Sequence, residues 1–344
     1  MTVKQFLRKA TLLIGGADGN GLDLSALRFT FDVRRGDKET PNSARIRVYN
    51  LKPDTANRVW QQEFSRVVLR AGYGENEGIL FDGTLIQARQ GRESPTDTFV
   101  DLTCADGDRA YNFAVVNTTL AAGATHSDVV DAAMKAMGEK GVTRGYIPEL
   151  AGNPYPRGRV LFGMARDIMR TVAQDLDMDW SIQNGQLTMI PKTSFIPGEV
   201  AVVTSQTGMV GTPTQMRNYI LVKMLLNSSI KIGSVIQMEN ASIQQYEYSL
   251  AIGDQAQNGF DARQNRLNNA GSKFGYYRVM VAEHMGDTRG NDWYTEATCI
   301  AIDTTATIEL ANKAIQGGIA PAPERIDPNN PFGSNTRGPV NPNY

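Results

Sequence analysis

The sequence predicts a mainly β protein with an α/β insert: two similar small β-barrel domains flank a middle α+β domain, and an extended tail follows. Three observations carry this expectation. Apolar and polar residues alternate in short runs towards both ends of the chain, as where Ala44, Ile46 and Val48 face one way and Arg45, Arg47 and Tyr49 the other. The 33 glycines and 15 prolines provide the many tight turns that short strands require. Between these strand-rich parts the period changes to that of amphipathic helices. The expected division is 1–110 for the first barrel, 111–212 for the insert, 213–310 for the second barrel and 311–344 for the tail.

The first half of the stretch from Asn42 to Val59 is a half-buried strand. Asn50-Leu51-Lys52-Pro53-Asp54 then turns the chain, and Pro53 presets its φ for the short helix that reaches Trp60. Before it, Lys4 to Ile14 mixes basic and apolar residues and leads into Gly15-Gly16-Ala17-Asp18-Gly19-Asn20-Gly21. That glycine run lacks the Lys-Ser/Thr ending of a phosphate loop and the bidentate Glu of a calcium loop, so it is read as a hairpin turn. Leu27, Phe29, Phe31 and Val33 alternate with Arg28, Thr30, Asp32 and Arg34 in the next strand. Residues 66–74, 78–86 and 98–104 read as three more, and tight turns between them argue for a small barrel or sandwich.

In the insert, Thr125 and Asp128 form a capping-box pattern ahead of Val130, Ala133, Met134 and Met137, and Gly138 and Gly141 close that helix. A second helix aligns Ala165, Ile168, Met169, Val172 and Leu176, and the hairpin from Trp180 to Met189 turns at Asn184-Gly185. The methionines fall at helical spacing and are read as core. Strands resume over 218–226 and over 230–238, where Gly233 marks a bend or bulge. The polar run from 240 to 275 reads as a long loop able to order against a partner. Strands at 276–284 and from Trp293 to Ile302 flank the turn from Gly286 to Asp292. From Ala320 onward the chain holds six of the 15 prolines and few apolar side chains, as an extended tail would.

The chemistry-bearing residues do not form a catalytic constellation, so no catalytic residue, cofactor or metal is expected. His126 and His284 lie in different expected domains; Glu283, Asp287 and Asp292 stand near His284, yet no second His or Cys lies at ligand spacing. Asp101, Asp106 and Asp108 sit at a strand end and turn, where Asp commonly bonds its own backbone. Cys104 and Cys299 each lie in an apolar, strand-like run and are read as buried free thiols rather than as a disulfide or reactive site. Arg58 with Trp60, and Lys273 with Tyr276 and Tyr277, could stack nucleic acid. The charge balance of 35 basic against 36 acidic residues instead favours a solvated face or a protein interface. No run is long and apolar enough to span a membrane, and Met1 to Lys9 lacks a signal-peptide core, so folding in a cytoplasm is expected.

Three motifs stand out: Ser43-Ala44-Arg45-Ile46-Arg47-Val48-Tyr49-Asn50-Leu51; Ala71-Gly72-Tyr73 followed by Leu80-Phe81-Asp82-Gly83; and Glu283-His284-Met285-Gly286-Asp287-Thr288-Arg289-Gly290-Asn291-Asp292-Trp293. In this order they resemble the baseplate hub proteins of contractile-tailed bacteriophages, relatives of the tail protein D group. The resemblance covers about 300 residues and fits the 240–275 loop and the tail less well. It implies two tube-forming domains per chain and a homotrimeric, pseudo-hexameric ring in the virion baseplate that adapts the sixfold tail tube to the threefold central spike. The ring would touch other baseplate proteins and form part of the DNA channel. It implies no enzymatic activity and no membrane partner, with opening when the spike departs during contraction. Two rivals remain. A peptidoglycan-degrading tail enzyme needs Glu283, His284 and Asp287 to converge on a pocket, and a generic β-rich ligand-binding module needs one deep apolar pocket.

Overall fold

The computed structural model describes residues 7–15, 21–61, 65–74, 76–150, 152–216, 219–239, 243 and 274–302. Lys273, most of the 240–275 run and the Pro-rich tail lie outside the described residues. The first part of the chain forms β1 (Arg8–Gly15), β2 (Gly21–Asp23), β3 (Phe29–Gly36), β4 (Ser43–Tyr49), α1 (Pro53–Trp60), β5 (Arg66–Tyr73), β6 (Asn76–Arg92) and β7 (Thr98–Ala105). These strands run antiparallel in the order β3-β4-β7-β6-β5-β1-β2. Phe29, Phe31, Val33, Ile46, Val48, Leu69, Leu80 and Leu102 meet in one core, so the sheet curls over its own apolar face. Ala56 and Val59 of α1 fill that core's end, and Pro53 stands at the helix start as expected.

The insert supplies α2 (Asp108–Phe113), β8 (Val115–Leu120), α3 (His126–Gly138), β9 (Thr143–Arg144), β10 (Arg159–Met164), α4 (Ala165–Asp175), β11 (Met178–Gln183) and β12 (Gln186–Pro191). Its separate core gathers Val129, Val130, Ala133 and Met137 of α3, Met169 and Val172 of α4, and Trp180, Ile182, Leu187 and Met189 of the hairpin. The capping box forms: the Asp128 carboxylate accepts the Thr125 backbone N–H at 2.7 Å. Asn184 and Gly185 both take positive φ (53° and 73°), the left-handed pair that a two-residue hairpin turn requires.

The remaining strands are β13 (Ala201–Val203), β14 (Thr214–Gln215), β15 (Ile220–Leu225), β16 (Val235–Glu239), β17 (Phe274–Asp287) and β18 (Trp293–Ala301). They run β14-β15-β18-β17, with β16 on β17 and β13 on β16, over a third core that includes Ile220, Val222, Tyr277, Val279 and Cys299. The strand expected over 230–238 is shorter than anticipated. Residues 230–234 turn through Gly233 at φ +79°, burying Ile230 and Ile232 from a loop, and extended pairing begins only at Val235.

Closed barrels are not formed among the described residues. The second edge of β3, available for closing the first sheet on itself, pairs with β17 from Gly36 opposite Val281 to Thr30 opposite Asp287. Both β modules therefore belong to one 13-stranded sheet. Gly286 sits at this junction with the Phe31 ring and the Trp293 indole lying where a Cβ would project, and those two rings meet edge-on at 5.4 Å.

Candidate functional site

The residues singled out by sequence do not converge. Glu283 and His284 are neighbours on β17 and point to opposite faces: Glu283 pairs with Arg34 at 3.0 Å, while His284 is fully buried. The His284 Nδ1 meets Thr295 Oγ1 at 2.9 Å, and burial, with Arg35 nearby, pushes its pKa down to about 3, so the ring is neutral. Asp287 is engaged by Arg28 at 2.8 Å, which holds its carboxyl below the ordinary range against the effect of burial, and Asp292 is exposed. His126 packs against Tyr155 in the insert. An open cleft of about 250 Å³ lined by Arg8, Lys9, Thr288, Arg289 and Trp293 includes neither Glu283 nor His284. Trp60 is exposed on α1, and among the described residues no cluster of three or more His, Cys, Asp or Glu could hold a metal.

Four strands of one β module repeat four of the other in register, β3-β4-β7-β6 against β14-β15-β18-β17. Ala44 pairs with Cys104 and Arg47 with Asp101 across β4 and β7; Ile220 pairs with Cys299 and Lys223 with Glu296 across β15 and β18. Arg47 bonds Asp101 at 2.7 Å and lies over the Phe99 ring at 4.0 Å. In the second module, Lys223 bonds Glu296 at 2.8 Å and lies over the Tyr294 ring at 4.7 Å. The two cysteines thus occupy one equivalent position, and burial pushes both thiols far above their ordinary pKa. The bulge repeats as well: β6 breaks register with β7 between Leu85 and Gln87, and β17 with β18 between Val279 and Val281.

Because β17 pairs with β3, the outward face of this sheet runs unbroken through both modules. One row across it reads Lys223, Glu296, Glu283, Arg34, and another Thr30, Arg47, Asp101, Arg89. Across it Arg28 pairs with Asp287, Arg34 with Glu283 and Lys223 with Glu296, Arg47 and Arg89 share Asp101, and Arg45 stands opposite Asp32 in the register. The face is polar, paired and close to neutral. Such a surface offers a passing polyanion neither a run of cations to hold it nor a run of acids to repel it.

Behind the face, a buried polar seam ties the insert to the sheet. The Arg35 guanidinium donates to Gln183 Oε1 at 3.0 Å and to the Leu80 carbonyl, and Asn42 donates to the Ile182 carbonyl at 2.8 Å. Asp106 accepts the backbone N–H groups of Asn184 and Gly185, so it holds the hairpin turn of the insert and not its own backbone. Burial nevertheless raises its pKa to about 6. Arg278 donates to the carbonyls of Pro191, Lys192 and Ser194 at 2.9, 3.2 and 3.0 Å and to Asp37 at 3.2 Å. Sequence reading missed this seam. One signal was present: Arg35 continues the inward parity of Phe29, Phe31 and Val33 on a strand otherwise apolar on that side.

This architecture can be set beside solved structures. The tail protein from Neisseria meningitidis MC58 superposes with a TM-score of 0.50 at 10% identity, covering 86% of this chain and 97% of that one. The chain shares the fold of that tail protein. The 43 kDa tail protein of prophage MuSo2 from Shewanella oneidensis gives 0.48 at 7% identity, covering 85% and 98% of the two chains. The E. coli c3393 protein, a type VI secretion component described as similar to T4 tail proteins gp27 and gp5, gives 0.47 at 8% identity over 80% and 74%. No protein-family model and no curated protein sequence matches this chain.

Proposed function

We propose that the chain is a structural subunit of a phage tail baseplate: a hub in which three copies build a pseudo-hexameric ring between the sixfold tail tube and the threefold central spike. The observation that carries this reading is the repeat of one β module within one chain, joined edge to edge by β17 and β3. Two equivalent modules per subunit let a threefold ring present six similar wall segments, which reconciles the two symmetries without a second gene product. The paired, near-neutral outward face suits the wall of a channel through which DNA passes without being held.

On this reading the divisions 1–110, 111–212, 213–310 and 311–344 are the two wall modules, the insert and a tail that contacts neighbouring baseplate proteins. The protein acts mechanically in the virion after assembly in the host cytoplasm, with no catalysis and no cofactor. Mass photometry of the purified protein, alone and with the spike, tests it. Trimers in either condition are expected, and a strictly monomeric protein in both overturns the reading.

A further inference from the structure

The module repeat makes one edge of the chain conspicuous. On the side away from β18, β17 is covered along its whole length: Phe274 to Arg278 pair with β16, and past the bulge Val281 to Asp287 pair with β3. Its equivalent, β6, is covered only in part. Asn76 to Thr84 pair with β5, but past the equivalent bulge residues 87–92 have no strand partner on that side among the described residues. Burial follows the same division. His284 and Ala282 of β17 are fully buried, whereas Gln90, equivalent to His284 by register, is exposed, as are Gln87, Arg89 and Arg92. An uncovered strand edge is a template for pairing with another chain.

The strand that would cover it can be read from the same equivalence. Within the chain, β17 receives β3, and β3 is the strand beside β4. The strand in that position in the second module is β14, which lies beside β15 at the end of the sheet path. Matching Ala44 with Ile220 and Arg45 with Leu221 aligns Asp32 with Thr214, and hence Arg34 with Met216. We propose that residues 87–92 of one copy pair antiparallel with the β14 segment of a second copy, repeating between subunits the β17–β3 junction found within one. Glu283 opposite Arg34 becomes Arg89 opposite Met216, and Met285 opposite Asp32 becomes Gly91 opposite Thr214. The contact is head to tail, so each copy gives one edge and receives another, and the series ends only by closing into a ring. The copy number of that ring rests on the hub reading; the pairing of these two edges rests on the repeat.

Directly opposed residues of an antiparallel pair bring their Cβ atoms within disulfide reach. The full-length Arg89→Cys/Met216→Cys double variant, oxidised at the concentration where mass photometry shows oligomers, is expected to run as covalent dimers and trimers on a non-reducing gel. Neither single variant should do so, and mixing the two singles should give dimers and nothing larger. Cys104 and Cys299 are buried and supply the background control. A second readout needs no substitution: amides of residues 86–92 should exchange slowly in the oligomer and rapidly on dilution to monomer. Oligomers that yield no cross-link in either format, with unchanged exchange at 86–92, overturn the pairing and leave the hub reading standing. A protein that stays monomeric with its spike overturns both.

Discussion

Arg278 is the residue on which the attachment of the insert can be tested most directly. Replacing it by Met keeps much of the side-chain length and removes the charge, leaving Asp37, 2% exposed, without its cation and three backbone carbonyls without a donor. Burial already outweighs attraction within this pair: the Asp37 carboxyl is pushed up despite Arg278, and the guanidinium is pushed down despite Asp37. Without Arg278, Asp37 escapes by taking a proton. From an ordinary carboxyl pKa of 3.8 that costs about 4 kcal/mol at pH 7, and less here because the pKa starts higher. Adding the stranded carbonyls, the expected loss is roughly 3–5 kcal/mol at pH 7. In the variant the Asp37 pKa is raised further, so the stability it contributes is present at low pH and lost as pH rises. The deficit should therefore shrink as pH falls from 7 to 5, by no more than about 1.4 kcal/mol per unit, because the raised wild-type carboxyl takes up part of a proton over the same range. Urea unfolding of the wild type, Arg278→Met and Arg278→Met/Asp37→Asn at both pH values measures this, with the double variant recovering part of the loss at pH 7. A deficit under about 1 kcal/mol at pH 7, or one independent of pH, would refute the account of a buried ion pair closing the seam.

Three further outcomes are expected. Asp106 and His284 oppose one another in acid: the folded pKa of Asp106, raised to about 6, adds stability that is full below 3.8 and lost as pH rises through 6. That of His284, lowered to about 3, adds stability present above 6.5 and lost as pH falls. Their slopes cancel between pH 4 and pH 6, so Asp106→Asn should expose a loss of about 1.4 kcal/mol per unit on acidification, and a profile parallel to the wild type would sink this assignment. Ile46, 1% exposed between Phe31 and Leu102, should not tolerate Asp: no cooperative unfolding transition is expected by circular dichroism, and a folded, trimer-forming Ile46→Asp protein would mean the inner face is misassigned. Arg47→Ala and Lys223→Ala, at partly exposed equivalent pairs, should each cost no more than about 1 kcal/mol in urea titrations, and a much larger loss at one alone would break the equivalence.

Local order was legible in the sequence wherever neighbouring residues decide it. The alternation of Phe29, Phe31 and Val33 fixed the inner face of β3, Thr125 and Asp128 marked the start of α3, and Asn184-Gly185 marked the β11–β12 turn. Partner choice was not legible. Nothing in Thr30 to Gly36 says that its second edge meets Val281 to Asp287, because both strands alternate acceptably and would pair with many others. The same limit hid the seam: Asp106 at a strand end looks like any turn aspartate until the Asn184-Gly185 hairpin is brought against it.

The repeat shows why two copies of one module can escape sequence comparison within a single chain. What is preserved is a set of pair relations: a cation bonded to an acid across two strands and resting on an aromatic ring, one bulge, one buried thiol. Arg47, Asp101 and Phe99 fill those roles in one module and Lys223, Glu296 and Tyr294 in the other, so side-chain class survives where identity does not. Where the two modules differ most, the difference follows from neighbours. His284 is buried where β3 covers β17, whereas Gln90 at the equivalent place on β6 is exposed, donates to Asn57 Oδ1 of α1 at 3.3 Å and has no strand of the described chain beside it. A core histidine at position 90 would suit a permanently covered edge; a glutamine there can face water before assembly and donate or accept a hydrogen bond after it. The divergence between the modules is thus what is expected if one junction forms as the chain folds and its equivalent forms only when copies meet.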